Sequence, residues 1–289
     1  MDVRELEAHR RRVSTRFGEV SYLDVGTGPA ALFVHGVGTN AGLWRHVIAA
    51  SAGQRRCIAF DLPGHGHSPV HADRDLSLRG LAGLVEEFCE ALELAEVDLV
   101  ANDTGGAVAQ VFAVGHPARL RTLTLTNCDT HDNLPPEAFR PTVELAEQGR
   151  LASLAAQLVA NPGLARAGTY GAGYEHPDQV DDATLRDYLT PVFGTIEAAR
   201  GFERLLTSLK ADDLVAIEPE LKELRVPTLI VWGTGDENFE TRWAYWLRDT
   251  IPGVQEVVEV EGAKLFFPDE RPGELTPHLH RHWARTLPR

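Results

Sequence analysis

Ala101-Asn102-Asp103-Thr104-Gly105-Gly106 follows the apolar run Val97–Ala101 and leads into the apolar stretch Ala107–Val114. A short β-branched run, a sharp turn of small residues and a helix-forming stretch together read as a strand–turn–helix unit. The paired glycines let strand and helix approach closely. Asp103 itself has two readings. It caps the helix, as aspartates commonly do, or it takes the place of the serine in a G-x-S-x-G elbow that lifts a side chain above the end of a sheet. Caps are far commoner than elbows, so the neighbouring segments have to decide.

Upstream, Ala30–Val34 is a buried strand that runs into His35-Gly36-Val37-Gly38. Arg56–Phe60 is another, and it ends in Asp61-Leu62-Pro63-Gly64-His65-Gly66-His67-Ser68. Arg11–Phe17 and Val20–Val25 form a hairpin, and Leu76–Leu92 has helical spacing. Downstream, Leu120–Thr126 is a strand, after which the rhythm breaks at Asn133-Leu134-Pro135-Pro136. The pattern is helical from there to about Asp213, interrupted by glycines near Gly168–Gly173. Alternation returns with the strand Pro227–Trp232, a helix through Trp243–Leu247, the strand Val254–Val260 and a last helix after Pro272. Strands alternating with helices imply a mostly parallel sheet covered on both faces. The expected organisation is one α/β core, residues 1–133 and 214–289, with an inserted helical lid at 134–213.

Composition narrows the function. The chain has 289 residues, 28 Lys plus Arg against 42 Asp plus Glu, and a formal charge of −14. Such an acidic chain repels phosphate backbones and anionic lipid, so a small molecule is the expected partner, not nucleic acid or a membrane. Cys57, Cys89 and Cys128 are odd in number and fit no zinc or redox spacing; they read as buried thiols of a cytoplasmic protein. The basic N-terminus has no apolar core of a secretory signal, and no run reaches membrane-spanning length. No H-E-x-x-H, cysteine cluster or dinucleotide loop is present, so neither metal nor organic cofactor is expected. The sequence leaves oligomeric state open.

In order and spacing these segments resemble the α/β-hydrolase superfamily across nearly the whole chain. The aspartate elbow resembles its haloalkane dehalogenase and epoxide hydrolase branch, in which the carboxylate attacks carbon and forms an ester. The resemblance implies an oxyanion hole from the backbone N–H groups of Val37 and Thr104. It implies the triad acid at Asp236, in Val231-Trp232-Gly233-Thr234-Gly235-Asp236. It makes the Asp61–Ser68 loop structural, with no catalytic part for His65 or His67.

The pattern then fails. The superfamily's histidine falls seven residues before the proline that here is Pro272, and that position is Leu265. His278, His280 and His282 belong to the last helix; His131, after the strand ending Thr126-Asn127-Cys128-Asp129, is the better-placed substitute. Lys264 is placed to pair with Asp236 in the space the histidine left. Dehalogenases generally place tryptophan after the nucleophile, and often asparagine after the His-Gly pair; Thr104 and Val37 stand there instead. Epoxide hydrolases present lid tyrosines, for which Tyr170, Tyr174 and Tyr188 are available. Three functions follow. One is hydrolysis of an apolar ester, epoxide or related compound at Asp103 by a non-standard route. Another is a lyase, isomerase or cyclase with Asp103 as general acid or base, its pKa raised by Leu265, Phe266 and Phe267. The last is a catalytically silent binding protein.

Overall fold

The computed structural model describes residues 3–285. Eight strands form one sheet: β1 Arg10–Ser14, β2 Glu19–Val25, β3 Ala30–Val34, β4 Arg56–Phe60, β5 Val97–Asp103, β6 Leu120–Cys128, β7 Thr228–Gly233 and β8 Val254–Val260. Their order is β1-β2-β4-β3-β5-β6-β7-β8. β1 and β2 pair antiparallel, as do β2 and β4; every other pairing is parallel. Every residue of β3, β5 and β7 is buried. That explains the apolar runs of β3 and β7, because a parallel sheet covered on both faces has no side turned to water.

Topology locates the site. After β4 the chain crosses back past β3 and lays β5 on the other side, so the winding direction reverses between β3 and β5. The carboxyl ends of the strands at such a reversal leave a crevice that ligands occupy. His35-Gly36 leaves β3 at that crevice and Asp103 ends β5 there. The helix Thr104–Gly115 starts at once, and its residues 104–113 are all buried, hence its all-round apolar sequence.

Between β6 and β7 the chain is helical, with no strand among the described residues. Three of these helices start at side-chain caps: Asn161 accepts from the Gly163 N–H ahead of Pro162–Ala167, Asp181 from the Thr184 N–H ahead of Asp182–Phe193, and Thr195 from the Ala198 N–H ahead of Ile196–Ser208. The sequence reading lacked the short helix Arg45–Ser51. The three cysteines are buried and unpaired, and burial pushes the Cys57 and Cys89 thiols up to about 12. No helix among the described residues is long and apolar enough to cross a membrane.

Candidate active site

Asp103 sits at φ 57° and ψ −136°, a backbone conformation that side-chain-bearing residues rarely adopt. Holding it there costs about 1–3 kcal/mol, which the surrounding packing must offset. Two glycines make the turn possible. A Cβ on Gly36 would collide with the Asp103 carboxyl, and one on Gly105 with the His35 carbonyl oxygen. Asp103 is therefore no ordinary cap: its side chain makes no capping bond to the helix. The backbone N–H groups of Val37 and Thr104 face its carboxyl instead and act to lower its pKa.

Two buried histidines fix the Val37 turn. His35 Nδ1 donates to the Gly36 carbonyl at 2.7 Å and its Nε2 accepts the Leu62 N–H at 2.9 Å. His65 Nδ1 donates to the Pro63 carbonyl at 3.1 Å and its Nε2 accepts the Gly38 N–H at 2.9 Å. Each ring uses one nitrogen as acceptor and is held neutral, and burial lowers their pKa values to about 4 and about 3. Replacing His65 with Leu is expected to cost about 1–3 kcal/mol in denaturant unfolding, because the buried Gly38 N–H loses its acceptor. A variant as stable as the parent would remove His65 from the support of this turn.

Asp236 lies in the loop after β7, buried. Asn127 Nδ2 donates to its Oδ2 at 2.9 Å, and the N–H groups of Asn238 and Phe239 reach its Oδ1 at 2.9 and 3.4 Å. Burial raises its pKa to about 6, against which these bonds and the charge of Lys264 act. Asn127 also bonds both backbone groups of Gly233, tying β6 to β7. Leu265 is buried beside the elbow, its carbonyl accepting from Asn102 Nδ2 at 3.0 Å.

Above Asp103 lies a cavity of about 240 Å³. Its walls are mostly apolar, with Phe139, Phe193, Phe202, Phe239, Leu265 and Phe266 among them. Asp103 and Asp129 are the only charged residues on it among those described, and no histidine, lysine or arginine lines it. Burial raises the pKa of Asp103 well above the carboxyl range, Asp129 and Asp236 raise it further, and the Thr104 and Val37 N–H groups pull against them. Burial likewise raises Asp129 to about 7.

Residues 29–270 match the family described as alpha/beta hydrolase fold. The chain belongs to the α/β-hydrolase family. It is 28% identical over 273 residues to an uncharacterized protein of Mycobacterium tuberculosis, covering 91% of this chain and 77% of that one. A haloalkane dehalogenase of Agrobacterium fabrum is 32% identical over 136 residues, 45% of this chain and 44% of that one. Among solved structures, the epoxide hydrolase CorEH superposes with a TM-score of 0.78 at 21% identity, over 96% of this chain and 99% of that one.

The remaining candidate residues fall unevenly in this α/β-hydrolase. Only Tyr170 of the three tyrosines lines the cavity; its hydroxyl is buried, without a hydrogen-bond partner among the described residues. Tyr174 donates to Asp269 Oδ2 at 3.2 Å, and the Tyr188 hydroxyl accepts from Arg45 Nη1 at 3.2 Å. Arg45 and Asp269 pair at 2.9 Å, so these two tyrosines fasten the helical segment to the sheet's support and do not face the cavity. His131 turns away at φ 53°: it bonds Glu218 Oε2 at 3.1 Å and packs on Trp246, so it does not stand in for the lost histidine. His278, His280 and His282 face Glu256, Ser51 and the Pro227 carbonyl. Lys264 makes no ion pair with Asp236 within 4 Å, although its charge lowers the pKa of that carboxyl. Phe267 is buried and is not among the residues that line the cavity.

Proposed function

We propose that this α/β-hydrolase hydrolyses an apolar epoxide, ester or related small molecule through Asp103, without a triad histidine, with residues 134–213 as its lid. The observation that carries the reading is Asp103 itself, held at φ 57° at the tip of β5 and opening into an apolar cavity. A silent binding protein has no use for a strained, buried carboxyl that costs stability. Burial without a cation in the cavity wall favours the protonated form of Asp103. In that form it gives a proton to a leaving oxygen better than it attacks carbon. Val37 and Thr104 hold the carboxyl through their N–H groups, the Tyr170 hydroxyl is a second polar contact for substrate, and Asp236 keeps a negative charge behind the site. The names haloalkane dehalogenase and epoxide hydrolase, borne by two similar proteins, agree with a small substrate. Halide is the poorer choice, because Thr104 stands after the elbow residue and its hydroxyl is spent on Asp129.

A second reading is isomerisation or elimination with Asp103 as acid, and the apolar Leu265 and Phe266 beside the carboxyl favour it. Incubation with styrene oxide and with phenyl acetate in ¹⁸O-water separates the two. The expected result is diol or acid carrying ¹⁸O. A rearranged, unlabelled product would favour the second reading, and conversion of neither compound would contradict both for these substrate classes.

A further inference from the structure

The sequence singled out His131 to replace the histidine, but His131 points at Glu218 and Trp246, and His278, His280 and His282 point elsewhere as well. Asp129 is the first residue after β6. The β5–β6 register sets Asp103 opposite Cys128, so the next residue stands beside the elbow. Asp129 is 1% exposed and lines the same cavity as Asp103 and Tyr170. Thr104 Oγ1 donates to its Oδ2 at 2.9 Å, and Gln110 Nε2 fixes its carbonyl at 2.8 Å. Its Oδ1 is buried and makes no hydrogen bond among the described residues. A buried carboxyl oxygen left without a partner is costly, and such an atom on a cavity wall is one that a bound group completes.

We infer that Asp129 is the base of the reaction: its Oδ1 takes a proton from the attacking water while Asp103 gives one to the departing oxygen. This rests on the reading of Asp103 as the reacting carboxyl. The groups facing the pair are Asp236, with Lys264 acting on it, the Cys128 thiol and the Tyr170 hydroxyl. None of those in the cavity wall is a cation, so the two carboxyls do not both ionise near neutral pH and the pair holds one proton. The Thr104 hydroxyl bonded to Oδ2 favours the charged form of Asp129, while burial and the nearby Asp236 push Asp103 the other way, so the negative charge of the pair is assigned to Asp129. In the reaction the water oxygen bonds to the substrate carbon and the substrate's C–O bond breaks. One water proton goes to Asp129, and the proton of Asp103 goes to the leaving oxygen. Transfer of the proton from Asp129 back to Asp103 restores the starting pair, and no oxidant or reductant is needed.

The test is hydrolysis of styrene oxide and phenyl acetate across pH, by the parent enzyme, Asp129→Asn and Thr104→Val. The parent rate should rise with pH through a midpoint near 7, where Asp129 loses its proton. Asp129→Asn, nearly the same shape, should lose about 10²–10⁴-fold and the rising limb with it. Thr104→Val removes a bond that favours the charged carboxylate, so its limb should move to higher pH, a shift that a purely structural role would not cause. Asp129→Asn turnover within about threefold of the parent, or a limb that neither variant alters, would overturn the inference. If the parent converts neither probe, the hydrolytic reading of Asp103 fails for these classes. Infrared titration of the carboxyls then judges the pair alone. A band titrating near pH 7 that Asp129→Asn removes supports it, and an unchanged titration overturns it.

Discussion

Asp103→Asn should lower hydrolysis of an apolar epoxide or ester by about 10³-fold or more while raising the melting temperature at neutral pH. The loss of rate follows because the amide cannot give up a proton as the carboxyl does, though it keeps the shape that Val37 and Thr104 hold. The gain in stability follows from the proton. The folded carboxyl has a pKa well above its ordinary 3.8, so between those values the folded protein holds a proton that the unfolded chain releases. That favours unfolding increasingly as pH rises. Below pH 3.8 both states are protonated and the difference vanishes. The melting-temperature gap between variant and parent should therefore be small near pH 4 and widen towards pH 8, at about 2–4 °C for each kcal/mol relieved. Calorimetry at the two ends of that range measures it. A variant that is inactive and no more stable at pH 8 would show that Asp103 is not held protonated.

Leu265→His should damage the native reaction by about 10²-fold near pH 7. Leu265 lines the cavity, and its backbone is pinned by Asn102. An imidazole at this position meets Asp103, with Asp236 still nearby to orient it. As a neutral ring it takes the proton from Asp103 and becomes a cation, which holds Asp103 ionised and unable to protonate a leaving group. The ionised Asp103 becomes a nucleophile, and the histidine the group that hydrolyses its ester. The measurement is kcat and kcat/KM for the best substrate of the parent, with the same two constants for the variant. A clear rise in turnover would show that the chain descends from an ester-forming enzyme that merely lost its histidine, and that Leu265 serves no acid–base purpose.

Much of this could be read before any coordinates. Ala30–Val34, Arg56–Phe60 and Val254–Val260 have the same bounds in sequence and structure, because short apolar runs between turn residues leave little choice. β5 and β6 each run two residues further than expected, to Asp103 and Cys128. Polar residues at a strand end read as loop, yet here they are buried and carry the chemistry. The helix Arg45–Ser51 was missed because it begins directly from a 3₁₀ turn, with no side-chain cap of its own to announce it. The three tyrosines were indistinguishable in sequence. Only tertiary packing turns Tyr170 to the cavity and commits Tyr174 and Tyr188 to Asp269 and Arg45. His131 looked well placed by chain position, but its backbone at φ 53° points the ring at Glu218 and Trp246. Asp129 did leave a signal: an acidic residue directly after the strand that neighbours the elbow. Its weight depends on the β5–β6 register, which sequence does not supply.

The most direct test of Asp103 as a proton donor is a single turnover in ¹⁸O-water, with enzyme in excess over substrate. When water attacks the substrate itself, its oxygen enters the product in the first turnover, and the Asp103 carboxyl stays unlabelled. When Asp103 attacks and its ester is then hydrolysed at the carboxyl carbon, the first product carries an oxygen of Asp103 and the label enters the protein. The account predicts ¹⁸O in the product and none in the peptide containing Asp103. Label found in that peptide, with unlabelled product, would contradict it.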